Sequence, residues 1–139
     1  MASATPPNSH VEQRLHSEPI LWLSSVRPDG RPHLVPVWFL WDAGRILMFS
    51  KPDNQKVRNI RANPNVTVAL EALDEGEDIV VIEGTATLLE DSGLASTLPA
   101  FATKYAKLFK RIGSSPEQMA TEYTQVIEIV PRRFLAWGG

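Results

Sequence analysis

The segment of residues 34–41, LVPVWFLW, constrains the fold more than any other part of this sequence. A strand with one face in water alternates apolar and polar residues, whereas this run is apolar at every position. We therefore expect one face of the strand to pack on a core and the other to meet a ligand or a partner. Pro36 has no N–H to donate to a strand ladder, which predicts a bulge or a free sheet edge beside it.

Five further strands are predicted, most of them joined by short turns. The Asp29-Gly30 pair predicts a hairpin that leads into the apolar segment. The six predicted strands are residues 20–26, 34–41, 45–50, 66–71, 79–89 and 124–130. Antiparallel strands that bury both faces in so short a chain favour a small closed barrel, because an open sheet would leave apolar edges exposed.

Helical patterns lie between and before these strands. The predicted helices are residues 10–16 with Asn8 or Ser9 as the cap, residues 53–61, residues 91–112, and a short turn of helix from Pro116. The last strand is predicted to end at Val130, with Pro131 and a tail after it. The result is a mainly β protein, of the α+β type, with small flanking helices.

The length of 139 residues is that of one domain. Residues 1–9 contain two prolines and no apolar period, which predicts a flexible N-terminal tail before a single domain of residues 10–139. No signal-peptide pattern is found, and no apolar run approaches the roughly 20 residues that a membrane span requires. We expect a cytoplasmic protein without a membrane span.

The charge and the residue types exclude several functions. The formal net charge is -2, with 14 basic and 16 acidic residues, which argues against a nucleic-acid-binding protein. The absence of cysteine excludes disulfides, thiolate metal sites and a cysteine nucleophile, and three histidines supply a metal site poorly.

One local stretch is strongly basic. Between Arg45 and Arg61 there are five cations and one acid, although the whole chain is slightly acidic. Ser50 and Lys51 lie where a predicted strand ends and a helix begins, and the free N–H groups of a helix start favour a phosphate. Lys56 is close enough in sequence to reach the same phosphate. The alternative is that these cations only keep a surface helix soluble.

The apolar strand and the basic stretch together suit a flat heterocycle that carries a phosphate. The strand would support the ring, and backbone groups near Pro36 would bind the polar edge of the ring. The alternative is that Trp38, Phe39 and Trp41 belong to the core or to a subunit interface. No familiar catalytic motif is present, so an enzyme of this sequence would depend on a cofactor for its chemistry. His33, Tyr105 and Tyr123 are possible donors, although a structural role is the more common one for each.

Three motifs resemble those of the pyridoxamine 5'-phosphate oxidase-like split β-barrel family. The first is DGRP followed by PVWF, the second is the S-x-P-x-x-x-K-x-x-N-I-x-x-N-P pattern of residues 50–64, and the third is EGTA of residues 83–86. The sequence is most similar to the actinobacterial branch of coenzyme F420-dependent oxidoreductases. The resemblance runs from about residue 10 onward.

The resemblance implies a homodimer of six-stranded split barrels with two cofactor sites between the subunits. It also implies roles for single residues of this chain. The phosphate-binding positions are Ser50, Lys51, Gln55 and Lys56, and the positions that line the ring are Val35, Pro36, Val37 and Trp38. Asn59 either braces the helix or contacts the ligand, and Trp137 forms a wall of the site, from the same or the other subunit. The ending PRRFLAWGG lacks the Arg and His pattern that binds pyridoxamine phosphate in the true oxidases.

The function implied is an F420-dependent reductase that transfers a hydride to an unsaturated or quinone-like small molecule. Arg58 and Arg61 would suit the acidic tail of F420. FMN fits the same residues, so an FMN-dependent reductase or oxidase is an alternative. A non-catalytic carrier of F420 or flavin and a purely structural module are the others.

Overall fold

The computed structural model describes residues 7–137, apart from the side chains of residues 91, 92 and 94. Within this range it contains five α-helices and seven strands. The helices are α1 (Ser9–Ser17), α2 (Gln55–Ala62), α3 (Asp91–Lys104), α4 (Ala106–Ile112) and α5 (Pro116–Glu122). The strands are β1 (Leu21–Val26), β2 (Pro32–Val37), β3 (Leu40–Asp42), β4 (Arg45–Ser50), β5 (Asn65–Leu70), β6 (Ile79–Leu89) and β7 (Gln125–Trp137).

The described strands form one antiparallel sheet in the order β2-β1-β5-β6-β7-β4-β3. Strands β2 and β3 follow each other in the chain but lie at opposite ends of this sheet. Only Trp38 and Phe39 connect them, a link that can bridge at most about 11 Å. The sheet therefore curls until its two ends come together. This confirms the predicted mainly β split barrel with flanking helices, with seven strands rather than six.

The prediction of one continuous strand over residues 34–41 was wrong. The chain leaves β2 after Val37 and enters β3 at Leu40, so the apolar run serves both ends of the sheet. The break has a physical cause, because the N–H of Phe39 donates to the Tyr105 hydroxyl at 2.8 Å instead of to a neighbouring strand. Pro36 lies in β2, at a sheet edge as expected, opposite Trp22 of β1.

The two-sided burial that we expected in residues 34–41 is found in β4 instead. Side chains in β2 alternate between exposed and partly buried. In β4, Ile46 and Met48 belong to the main barrel core, whereas Leu47 and Phe49 belong to a second cluster beneath α3 and α4. Strand β4 therefore separates the two cores.

The last strand does not end at Val130 as predicted, and β7 continues to Trp137. The pairing with β6 shifts register between Glu83 and Gly84, where Pro131 lies opposite Gly84 and Arg133 opposite Glu83. This β-bulge accommodates a proline that cannot donate to the ladder. Gly84 is required there, because a Cβ would lie 2.8 Å from both the Ile129 side chain and the Val130 carbonyl oxygen.

The predicted helix over residues 91–112 is divided at Tyr105 into α3 and α4. Helix α4 ends at Ile112 and is capped by Gly113 with φ +70°, and the Ser115 hydroxyl caps α5 by accepting from the Gln118 N–H. At the other end of the chain, Asn8 caps α1 by accepting from the Val11 N–H at 2.9 Å. Residues 1–6 of the predicted tail lie outside the described range.

Candidate functional site

A cavity of about 540 Å³ lies between the β2–β3 link and helices α3–α5. Strand β2 and the link supply one wall, and the aromatic cluster beneath α3 and α4 supplies another. Its lining residues are Pro36, Val37, Trp38, Phe49, Asn54, Lys56, Phe101, Phe109, Ile112, Ser114, Gln118, Met119, Glu122 and Tyr123. The wall is mostly aromatic and aliphatic, with charged groups from α2 and α5.

The indole of Trp38 is held in place by stacked aromatic rings. It lies parallel to the ring of Tyr105, with centroids 4.7 Å apart and an angle of 5° between the planes. Phe109 meets it edge-on at 5.5 Å. Because Tyr105 covers one face of the indole, Trp38 offers the cavity only its remaining surface.

Two side chains of the α3–α4 junction fix the link that carries Trp38. The hydroxyl of Tyr105 accepts from the Phe39 N–H, and its own proton is within reach of the carbonyl oxygens of Pro19 at 2.8 Å and Phe39 at 2.9 Å. The ammonium of Lys104 donates to the same Phe39 carbonyl at 2.8 Å and lies 3.6 Å from the centre of the Phe39 ring. Burial raises the pKa of Tyr105 above its ordinary value. Burial also lowers the pKa of Lys104 to about 8.

The cationic end of the cavity is formed by Lys56 of α2. Its ammonium takes part in none of the ion pairs among the described side chains. Partial burial lowers the pKa of Lys56 below its ordinary value. Lys51 is exposed and lies 5.6 Å from the centre of the Tyr123 ring, which lines the cavity. A second cation is therefore present at the border of the cavity.

A polar network anchors the start of α2 to the barrel. Gln55 donates to the side-chain oxygen of Asn59 at 2.7 Å, and the amide of Asn59 donates to the Ser25 hydroxyl at 3.0 Å. Asn59 and Ser25 are buried. This geometry assigns Asn59 a bracing contact, one of the two roles expected for it. The buried Ser50 hydroxyl donates to the Lys51 carbonyl oxygen at 2.8 Å.

The sequence-predicted residues divide into three groups in the structure. Those that line the cavity are Pro36, Val37, Trp38 and Lys56. Those at its border or in the network beside it are Ser50, Lys51, Gln55 and Asn59. Val35 packs against the main barrel core. Trp137 lies on β7, where its indole N–H donates to the Gly76 carbonyl oxygen at 3.2 Å, and it does not line this cavity.

Sequence reasoning missed the helical wall of the cavity. Phe101, Tyr105 and Phe109 are spaced by four, so they lie on one side of the α3–α4 segment and form the aromatic cluster. That spacing could have predicted an aromatic face on this helical segment from the sequence alone. Gln118, Met119 and Glu122 of α5 carried no comparable pattern, because their place in the cavity depends on how α5 folds back.

No helix within residues 7–137 is long and apolar enough to cross a membrane. No group of three or more His, Asp or Glu side chains in that range is arranged to hold a metal ion.

Comparison with solved structures places the fold. The conserved hypothetical protein Rv2991 from Mycobacterium tuberculosis is 25% identical, with a TM-score of 0.78 over 99% of this chain and 88% of that one. A protein named F420 reductase is 27% identical, with a TM-score of 0.66 over 94% of this chain and 98% of that one. An FAD-binding protein from Mesorhizobium loti shares the fold at 20% identity, with a TM-score of 0.69 over 92% and 91% of the two chains.

No curated protein matches this sequence, but a family model does. The family model described as pyridoxamine 5'-phosphate oxidase matches residues 8–138, nearly the whole sequence. This match agrees with the resemblance carried by the DGRP, PVWF and EGTA motifs. The chain therefore belongs to the pyridoxamine 5'-phosphate oxidase family and has the split-barrel fold of its structural neighbours.

Proposed function

We propose that this protein is a homodimeric oxidoreductase that binds coenzyme F420 and reduces an unsaturated or quinone-like small molecule. The observation that carries the proposal is the position of Lys56, a partly buried cation with no carboxylate partner among the described side chains. Removing an ammonium from water without a counter-charge is unfavourable, so an anionic ligand is its natural partner. Lys56 lines the same cavity as Trp38.

The cavity suits a phosphorylated tricyclic ring in size and in lining. Its volume of about 540 Å³ falls within the range of about 300–1,000 Å³ that is usual for small-molecule sites. Trp38, Phe109 and Tyr123 provide aromatic surface for a flat ring. Lys56 lines the cavity and Lys51 lies at its border, and cations suit a phosphate.

The edge position of β2 supplies polar groups for the ring. No described strand pairs with its outer side, and the register directs the backbone groups of Leu34 and the carbonyl oxygen of Pro36 to that side, where they remain available. These groups would bind the polar edge of a flavin or deazaflavin. Bound in this way, the ring is oriented by backbone atoms that the β1–β2 pairing holds fixed.

A reduced deazaflavin, when bound, supplies the hydride. The chain contributes by fixing the phosphate through Lys51 and Lys56, by holding the ring against β2, and by excluding water with Trp38 and Phe109. The proton that completes the reduction comes from solvent or from a hydroxyl group. No side chain of this protein needs to form a covalent bond.

The proposed dimer uses the exposed face of β2. Leu34 is 61% exposed, and Pro32 and Pro36 share its face of the strand. An apolar row on an unpaired edge strand is a surface that proteins normally cover. Trp137, 56% exposed and outside the cavity of its own chain, is proposed to close the site of the second copy.

FMN is the second candidate, because the ring platform and the phosphate cations serve either coenzyme. Equilibrium binding of F420 and of FMN to the purified protein separates the two. We expect F420 to bind more tightly and to be turned over with a panel of quinones and enones. A yellow protein that binds FMN and ignores F420 would favour the alternative, and tight F420 binding without turnover would indicate a carrier.

The role of Lys56 is tested by Lys56→Met. A hydrogen bond to a charged group contributes about 1.5–3 kcal/mol, so we expect coenzyme affinity to fall by about tenfold to a hundredfold. Lys107→Met, at an exposed lysine of α4, is the matched control and should bind normally. Unchanged affinity in Lys56→Met would remove the main support for the site.

A further inference from the structure

The imidazole of His33 has a polar atom that no contact within the protein satisfies. Its Nδ1 is buried and has no hydrogen-bond partner among the described residues. Buried side-chain nitrogens are hydrogen-bonded in the large majority of cases, so an unpartnered one calls for an explanation. His33 lies in β2, two residues from Val35 and three from Pro36.

The strand register places His33 beside the polar network of α2. His33 lies directly opposite Ser25 in the β1–β2 pair, so the two side chains share one face of the sheet. The Ser25 hydroxyl accepts from Asn59, which fixes α2 over this face. His33 therefore lies between the edge of the sheet and the start of α2, and its neighbours Val35 and Val37 share its face.

The charged neighbours of His33 are cations from two different elements. Burial lowers its pKa first, and the charges of Arg27, after β1, and Lys56, on α2, lower it further. Lys56 is near enough for its charge to lower the pKa of His33, and it also lines the cavity. Two cations and a ring nitrogen without a hydrogen-bond partner form surroundings that favour an oxyanion and are unfavourable for a cation.

We propose that His33 is a further phosphate-binding residue, which donates from Nδ1 to an oxygen of the coenzyme phosphate that Lys56 also binds. This inference rests on the proposed coenzyme site and adds a ligand to it. Neutral imidazole donates from Nδ1 when Nε2 carries the lone pair, and protonated imidazole donates from both nitrogens. The negative charge of a bound phosphate opposes the charges of Arg27 and Lys56, so binding should be accompanied by proton uptake at His33.

The first experiment uses inorganic phosphate as the probe and needs no coenzyme. The pKa of each histidine is measured by NMR in phosphate and in chloride at equal ionic strength. We expect phosphate to raise the pKa of His33 by about one unit. His16, exposed on α1, is the reference histidine. A His33 pKa that is the same in both salts overturns the proposal.

The second experiment compares each coenzyme with its dephosphorylated form. We expect His33→Gln to weaken binding of F420 or FMN about tenfold, the effect of losing one charge-assisted hydrogen bond. Binding of the dephosphorylated forms should not change. His16→Gln is the matched control. Equal losses for phosphorylated and dephosphorylated forms would mean that His33 only supports the fold, which contradicts the proposal.

The two experiments separate failure of this inference from failure of the proposed function. If the wild-type protein binds neither coenzyme, the oxidoreductase proposal fails, while the phosphate titration still decides the role of His33. If coenzyme binds and His33→Gln binds it equally well with the same proton uptake, the oxidoreductase proposal stands and the role of His33 is disproved.

Discussion

The hydroxyl of Tyr105 binds the backbone of Phe39, 66 positions earlier in the chain, and so fixes the point where β2 gives way to β3. The N–H of Phe39 is buried and this hydroxyl is its acceptor at 2.8 Å. The ring of Tyr105 also stacks on Trp38. One side chain therefore determines both the path of the link and the orientation of an indole that lines the cavity.

Tyr105→Phe removes the acceptor and leaves the Phe39 N–H buried without a partner. We expect the free energy of unfolding to fall by about 1–3 kcal/mol, measured by urea denaturation. Tyr123→Phe is the control, because the Tyr123 hydroxyl makes no hydrogen bond to the described residues. Equal stability of Tyr105→Phe and wild type would show that water satisfies the Phe39 backbone.

Lys104 should make stability depend on pH in the mildly alkaline range. Its pKa is lowered to about 8 in the folded protein from an ordinary value of 10.5. Between these values the unfolded chain binds more protons than the folded one, so the free energy of unfolding rises with pH. We expect this rise between about pH 8 and 9.5, below the range in which tyrosines of the unfolded chain ionise.

In Lys104→Met the free energy of unfolding should no longer rise with pH over this range, whereas in Lys107→Met it should rise as in the wild type. The measurement is urea denaturation at a series of pH values. A stability curve of the wild type that is flat over this range, or one that falls, would contradict the assignment.

Asp78 should control stability in acid. Burial alone would raise the pKa of Asp78, but the hydrogen bond from His10 at 2.7 Å and the charge of Arg14 hold it below its ordinary value. A carboxyl with a lowered pKa stabilises the fold above its unfolded pKa of 3.8, and this contribution is lost as pH falls through the folded value.

Asp78→Asn should therefore lose less stability in acid than the wild type does. Glu77→Gln, at the exposed neighbouring carboxyl, should lose as much as the wild type. Thermal unfolding followed from neutral pH to below pH 4 is a suitable measurement. If both variants lose stability in acid as the wild type does, the network around Asp78 is not responsible.

Gly84→Ala tests the bulge that lets β7 continue past Pro131. The added methyl would meet the Ile129 side chain and the Val130 carbonyl oxygen at 2.8 Å. We expect a loss of about 1–3 kcal/mol from overpacking, measured by urea denaturation. Thr87→Ala, at an exposed position of the same strand, should change stability much less. Wild-type stability in Gly84→Ala would mean that β7 moves away at little cost.

Leu34→Glu tests the proposed dimer. A charge in the centre of the exposed apolar row should oppose association of two copies, because a buried unpaired carboxylate is unfavourable. We expect sedimentation to show a dimer for the wild type and a monomer for Leu34→Glu. Lys107→Glu, at an exposed residue of α4 that does not line the cavity, should remain a dimer. A monomeric wild-type protein would contradict the proposed assembly.

Local signals predicted the parts of the fold that depend on neighbours in sequence. The Asp29-Gly30 turn and the 3-residue spacing of Val57 and Ile60 placed the β1–β2 hairpin and α2 correctly. The break after Val37 was missed because its cause is Tyr105, far away in the chain. The extension of β7 was missed because Pro131 is tolerated only opposite Gly84.

In the candidate site too, features carried by neighbouring residues could be predicted from the sequence, and features that depend on the tertiary fold could not. Lys56 and Trp38, which line the cavity, could be predicted as site residues because a basic helix start and an apolar strand are visible in one stretch of sequence. The α5 wall, including Glu122, was not found, because it reaches the cavity only through the tertiary fold. The partnerless nitrogen of His33 is a property of packing, so no sequence pattern could single it out from an ordinary strand histidine.

The two-residue link between β2 and β3 has a consequence for the order of folding. Strands β2 and β3 are neighbours in the chain but lie at opposite ends of the sheet. They cannot both take their final places until the strands between β1 and β3 have assembled, which are β5, β6, β7 and β4. Pairings of such long sequence separation are slow to form. We therefore expect the two ends of the sheet to meet at Trp38 and Phe39 late in folding. The cavity would then be completed only when the chain has finished folding.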